Sequence, residues 1–392
     1  MSTDSGFDAV VVGGGPAGSM AALELSRRGW RVALLYRQAG AVAAGETLSG
    51  AARLALERAG VWAAFEHDAH SPCHESRSLW GGSLSTLEHI RDPYGPGHLI
   101  DRVRFDATLR QAARAAGVTL QQGSARLLRG ASAAEPLTLE SLHAGQARQF
   151  EAEFVVDASG RGASLARRLG ARRRSVDRLS CAFATLRVGE RAGLARCSTF
   201  VEPVEYGFWY RSVDAEGAVT LALFSDADLL VGLRAHERAG WLARYSRTQM
   251  AAELPSLDGR IDPCSFRVRG AAVGRLDIPF GPRWLAAGDA VMTQDPLSSR
   301  GVVAALLSGL HSALALAACR DGVPGSRQRY ADTLRAIFDQ HLIARRAWYG
   351  AEPRWSESPF WRRRQGGRYE ETAPRRGRAA ARTLAATREE QP

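Results

Sequence analysis

Residues 287–301 read AGDAVMTQDPLSSRG and stand directly before the apolar run VVAALLSGLHSALALAA. The stretch combines an acid at Asp289, a rigid Asp295-Pro296 pair, two hydroxyls and Gly301. The run predicts a helix from Val302 to about Ala318, whose first turn presents free backbone N–H groups and a partial positive charge. An electron-rich group is therefore expected against Gly301 and Val302. A second stretch, GGGPAG, follows the buried-strand pattern FDAVVV and places Gly13, Gly15 and Gly18 in G-x-G-x-x-G spacing, with Ala17 inside it. The helical SMAALELSRRG and the strand RVALLY come next, and in that context the spacing binds a dinucleotide. Gly13 permits a tight turn, Gly15 leaves room for a pyrophosphate, and Gly18 lets helix and strand pack closely.

The end of the second strand departs from this pattern. A carboxylate is expected there for the ribose hydroxyls, but the residues are Tyr36 and Arg37. A phenol lacks the bidentate acceptance of a carboxylate, so the ribose contact should be weaker, or Arg37 stacks on adenine. No clear acid–base dyad is present. Glu46 and His98 are the catalytic candidates, each with a structural alternative: a helix-cap acid and a core histidine. Trp80, Phe208, Trp209 and Tyr210 line an aromatic pocket or belong to the core.

Composition bounds the rest. The chain has 392 residues, 45% of them hydrophobic, and a formal charge of +11. All 52 basic residues are arginine, so no step that needs a side-chain amine can operate. Five cysteines, Cys73, Cys181, Cys197, Cys264 and Cys319, are scattered without a C-x-x-C pair, which suits reduced thiols in a cytoplasm and no metal site. The opening MSTDSGFDAVVVGGG lacks a basic segment and predicts no secretory leader. No apolar run free of charge or glycine reaches transmembrane length, so no membrane span is expected.

Stepping along the chain, simple strand–helix alternation holds to residue 40. A Ser-, Gly-, His- and Pro-rich stretch at 71–100 reads as a loop on the substrate side. Residues 101–117 read as a helix with Asp106, Arg110 and Arg114 toward solvent. EFVVDASGRGASLARRLG at 153–170 is again strand, turn and helix. These features predict an α/β chain. A Rossmann-like nucleotide-binding domain occupies 1–175 and 271–325, interrupted by a β-sheet substrate domain at 176–270. C-terminal helices and a basic tail follow at 326–392. From Arg362 the tail carries nine Arg against four Glu; it reads as a solvated segment or a dock for an acidic peptide or protein client. It lacks the aromatic interleaving of a nucleic-acid binder.

Taken in chain order, the glycine turn, DASGRGASLAR at 157–167 and GDAVMTQDPLSSRGV at 288–302 resemble the FAD-binding signature of class A flavin monooxygenases. SPCHESRSLWGG, GPGHLIDRVRFDATL, the 206–230 stretch and WYGAEPRWSESPFWRRR narrow this to the tryptophan halogenase-like branch. Within it they are most similar to flavoproteins of tryptophylquinone cofactor biogenesis. The likeness runs roughly from residue 7 to residue 364. It implies FAD, reduced by NAD(P)H or a separate flavin reductase, and O2. It further implies hydroxylation of an electron-rich ring, a tryptophan in a peptide or protein, through a flavin C4a-hydroperoxide. By this resemblance Asp289 holds the ribityl chain, the Pro296–Val302 loop lies along the isoalloxazine, Arg102 reaches the diphosphate and Glu46 stands near the flavin. The halogenases of the branch use a lysine and a W-x-W-x-I-P motif; this chain has no lysine and reads YGFWYRSV instead, which argues against halogenation. The alternatives are a small-molecule aromatic hydroxylase, a FAD-containing maturation partner without turnover and, less favoured, a saturating reductase of isoprenoid chains.

Overall fold

The computed structural model describes residues 3–38, 45–89, 92–130, 135–188, 194–254, 257, 261 and 265–366. Cys264 and most of the basic tail lie outside them. Two sheets organise the described chain. In the first, Thr3–Val12 lies between Val32–Tyr36 and Gln146–Asp157; Thr119–Gln122 extends one side and Trp284–Ala286 the other. These five strands are parallel, so Val12, Tyr36, Gln122, Asp157 and Ala286 end along one margin, where open α/β sheets bind ligands. Val10, Val11, Leu34, Val156 and Leu285 are buried to 1% exposure or less. The centre of the sheet is therefore covered on both faces, which is why AVVV, VALL, FVV and WLA are continuous apolar runs without alternation.

Two helices cross at the ligand margin. Pro16–Arg27 follows the glycine turn, and Gly301–Arg320 packs against it. The crossing is set by small residues. A Cβ on Gly309 would fall 2.1 Å from the Ala17 carbonyl oxygen, and one on Gly288 would fall 2.6 Å from Ala17 Cβ. Among the described residues Gly301–Arg320 is the one helix long and apolar enough to cross a membrane, and more than half of that apolar window is buried inside the protein.

The second sheet has seven strands in the order Arg267–Gly270, Leu179–Arg187, Ala218–Asp226, Gly207–Val213, Ser198–Val204, Glu75–Ser78 and Ser85–Glu88. The last two correct the expectation of a loop at 71–100. Glu75–Ser78 pairs in parallel with Ser198–Val204 and forms a hairpin with Ser85–Glu88. Their composition is turn-like, and only the neighbouring strand makes them extended. The region expected as all-β also carries the helices Ala227–Gly232, Arg238–Tyr245 and Met250–Glu253. Trp241 and Tyr245, one helical turn apart, bury against one face of the sheet. The C-terminal helices Ser326–Gly350 and Pro359–Gln365 reach the other face. Trp361 there donates its indole N–H to the Val204 carbonyl (3.0 Å), and the buried Arg364 meets both Asp226 oxygens (2.5 and 3.2 Å).

Candidate functional site

The three glycines of the turn differ in what surrounds them. Gly13 has φ +116°, and a Cβ on it would fall 2.0 Å from the Ala158 carbonyl; a Cβ on Gly18 would fall 1.8 Å from the Gly13 carbonyl. Both glycines are required by the chain itself. Gly15 is not, because its nearest neighbours would be Arg102 and Asp106 side-chain atoms at 3.8 Å. The helix it introduces has no side-chain cap and no acid in its first turn. Free N–H groups thus border the room at Gly15, beside the Arg102 guanidinium and the Asp106 carboxylate it pairs with, and a helix end without an acid of its own suits an anion.

The helix Arg102–Ala115 frames that space. Arg102 donates to Glu46 (2.8 Å) and through two nitrogens to Asp106 (3.1 Å each). Arg110 donates to the Gly14 carbonyl (3.0 Å) and lies 4.8 Å over the Tyr36 ring. Asp106 and Arg110, expected toward solvent, are half-buried and face the glycine turn; Arg114 is exposed. Residues 102, 106 and 110 repeat at one-turn spacing and share that face. Arg37, just past the strand, is exposed.

The second uncapped helix end is at Gly301, again without an acid in the first turn. Gln294, Asp289, Gly301, Ala304 and Ser308 line a small cavity there, and the buried Gln294 Oε1 has no hydrogen-bond partner. Asp289 sits on the turn Gly288–Ala290, 3.4 Å from Arg161. Arg173 clamps this turn, donating to the Asp289 and Ala290 carbonyls. Burial lowers the Arg173 guanidinium to about 10 against the opposing pull of Asp289. Ser308 accepts the Gly288 N–H at 2.8 Å.

Asp295 supports the loop from below and does not face the cavity. Its carboxylate accepts from Leu297 N (3.0 Å), Arg345 Nε (2.8 Å) and Tyr349 Oη (3.1 Å), and its backbone N–H donates to His341 Nε2 (2.9 Å). Arg345 also donates to Asp177 at 2.6 Å. His341 is thereby held as the neutral acceptor; burial, partly opposed by Asp295, lowers it to about 4. Sequence reasoning missed Arg173, His341, Arg345, Tyr349 and Gly309. In HLIARRAWYG an inward arginine has the same letter as an outward one, and only helical phase relative to Tyr349 hinted at it.

The aromatic candidates divide by strand parity. Phe208 and Tyr210 point to one face and Trp209 to the other. Phe208 joins Trp80, Tyr349 and Trp361, with Trp80 at 5.9, 5.8 and 5.3 Å from the three rings. Leu297 of the Asp295-Pro296 loop packs on the same cluster. The Tyr210 hydroxyl lies 2.8 Å from Thr47 Oγ1, and burial raises this phenol to about 12. Trp209 is a correction: it is fully buried against Trp241 and Tyr245, at 5.1 and 5.5 Å, on the opposite face. His98 packs against Phe65 (5.0 Å) and Trp62 (6.3 Å), and burial lowers its basicity.

A model of the FAD binding domain matches residues 7–318. The chain belongs to that family. LodB of Marinomonas mediterranea, whose name assigns it to the FAD-dependent oxidoreductases, is 28% identical over 365 residues, covering 91% of this chain and 96% of LodB. QhpG, a peptidyl tryptophan dihydroxylase essential for tryptophylquinone cofactor biogenesis, has 25% identity and a TM-score of 0.75, with 93% of this chain and 80% of QhpG covered. The flavin-dependent halogenase CmlS, at 23% identity and a TM-score of 0.78 over 100% of this chain and 71% of its own, shares the fold. The chain is a FAD-dependent oxidoreductase with the halogenase-like form of the class A monooxygenase fold. Its residues fit FAD: two uncapped helix ends, the opening at Gly15 and the unpaired Gln294 oxygen lie along the ligand margin.

Proposed function

We propose that this oxidoreductase hydroxylates an electron-rich aromatic ring, a tryptophan side chain of a peptide or protein during quinone cofactor biogenesis. NAD(P)H or a separate flavin reductase is the electron source, and O2 the oxidant. The observation that carries this reading is the aromatic face of the seven-stranded sheet, which meets the cofactor loop through Leu297. The likeness to QhpG supports the choice of ring.

In this reading Gly13, Gly15, Ala17 and Gly18 cradle the diphosphate at the start of Pro16–Arg27, and Arg102 adds charge there, oriented by Glu46. Tyr36 and Arg110 border the adenosine. Asp289 holds the ribityl chain, with its turn fixed by Arg173. Pro296, Gly301 and Val302 face the flavin ring. Bound FAD supplies the activation of dioxygen. The helix end at Gly301 favours negative charge on its ligand by up to ~2 kcal/mol. The Trp80–Phe208–Trp361 cluster excludes water from the reacting side. Tyr210 stays protonated, its hydroxyl paired with that of Thr47.

Halogenation is the second reading, favoured by a brominase from Pseudoalteromonas luteoviolacea acting on 1H-pyrrole-2-carbonyl-[peptidyl-carrier protein], 26% identical over 339 residues and covering 82% of this chain and 80% of the brominase. The absence of lysine weighs against it. The test supplies reductant, O2 and bromide with a co-encoded protein client, free tryptophan or a small indole, and reads products by mass. One or two oxygen atoms added to the client support the proposal. Bromide incorporation, or oxidation of free tryptophan alone, overturns it.

A further inference from the structure

The two edges of the seven-stranded sheet differ in charge. Ser85–Glu88 is one edge. Arg267–Gly270 is the other, and among the described residues no strand pairs with its outer side. Phe266 and Val268 pack toward Trp241. Arg267 and Arg269 alternate with them and pair in register with Phe183 and Cys181, so they stand on the face that carries Phe208 and Trp361. The chain then runs to Ala272, whose carbonyl accepts from Arg161 (3.1 Å) and Thr293 (2.8 Å). Arg161 is the partner of Asp289. The open edge thus leads from the aromatic face to the cofactor turn.

The edge itself carries two arginines and no acid. Arg269 is exposed and Arg267 half-buried. Their side-chain hydrogen bonds go no further than neighbouring main chain: Arg267 donates to the Phe266 carbonyl and Arg269 to that of Val268. Among the described residues no carboxylate forms an ion pair with either of them.

We propose that Arg267–Gly270 is the docking edge for an acidic, extended segment of the polypeptide client, which joins the sheet as an added strand with its carboxylates along Arg267 and Arg269. This rests on the polypeptide reading above. The main-chain groups of an open edge give affinity to an added strand. The arginines select its sign, speed its encounter and offer planar forks suited to carboxylates.

The test uses the full-length, FAD-loaded protein and fluorescence anisotropy of a labelled peptide in which glutamate and threonine alternate around one tryptophan. The acidic peptide is expected to bind and its lysine-for-glutamate counterpart not to bind. Binding should weaken as salt rises to roughly 200 mM. R267E/R269E should weaken it at least about tenfold with the flavin spectrum unchanged; R267Q/R269Q is the milder variant if the reversal fails to fold. Two further peptides carry N-methyl groups on one or the other set of alternate amides and leave the protein untouched. One set should abolish binding and the other spare it, because only alternate residues of an added strand face its neighbour. Equal binding of both, unchanged affinity in the arginine variants, or tighter binding of an oligonucleotide of equal charge would overturn the proposal. Polypeptide tryptophan oxidised at an unchanged rate by R267E/R269E would sink the docking edge and leave the proposed function standing. Oxidation of free tryptophan or indole alone would sink the proposed function itself.

Discussion

Arg345 has no exposed surface and lies between two carboxylates, those of Asp177 and Asp295. Replacing it with methionine leaves both acids buried without their cation. Breaking such a pair from one side costs about 3–5 kcal/mol, so R345M should unfold at clearly lower urea than the parent protein, read by tryptophan fluorescence. Asp289 is a different case, because it faces the cavity and Arg161 meets it only at 3.4 Å. Asp289→Ala should leave the fold intact but remove a charge-assisted hydrogen bond of about 1.5–3 kcal/mol to the ligand. FAD affinity, measured by quenching of flavin fluorescence, should fall at least about tenfold. Unchanged FAD occupancy would mean that the ribityl chain lies elsewhere.

At the scale of elements, the crossing of Pro16–Arg27 with Gly301–Arg320 depends on one missing methyl. Gly309→Ala places a carbon 2.1 Å from the Ala17 carbonyl, and backbone cannot yield as a side-chain tip does. Overpacking of about 1–3 kcal/mol is expected, with a lower Tm and weaker FAD binding together, since Ala17 belongs to the glycine turn. The elements that were legible in sequence are those with strong local signals. The Rossmann strands are continuous apolar runs, the turn has fixed glycine spacing, and the helix expected at Val302–Ala318 extends over Gly301–Arg320. What was illegible depends on partners distant in sequence. Glu75–Ser78 is a strand because Ser198–Val204 lies beside it. Trp209 differs from Phe208 and Tyr210 only by parity, and in GFWYRSV the polar Arg211 and Ser212 fall on opposite faces and are both buried, so no alternation reveals it. Asp106 and Arg110 look like surface charges until the glycine turn is packed against them.

Across the whole molecule, burial lowers the basicity of His70, His98, His311 and His341. A histidine that is neutral in the fold but free to protonate near pH 6.5 when unfolded contributes stability that is fully present above that pH. Between about 6.5 and the folded value the unfolded chain binds more protons, so stability falls as pH falls. For His341 the window runs down to about 4. Urea midpoints should therefore decline from pH 6.5 downward, and His341→Gln, whose amide oxygen can accept the Asp295 N–H without titrating, should make that decline shallower. A parallel slope in parent and variant would show that His341 does not contribute. The brace from Asp295 to Arg345 has one more consequence, in the timing of synthesis. The cofactor loop leaves the ribosome some 50 residues before the arginine that holds it. While that interval is being translated, the loop exists without its support. FAD capture by ribosome-bound chains of increasing length should begin only after the helix Ser326–Gly350 has cleared the exit tunnel, which makes cofactor loading a late event in the life of the nascent chain.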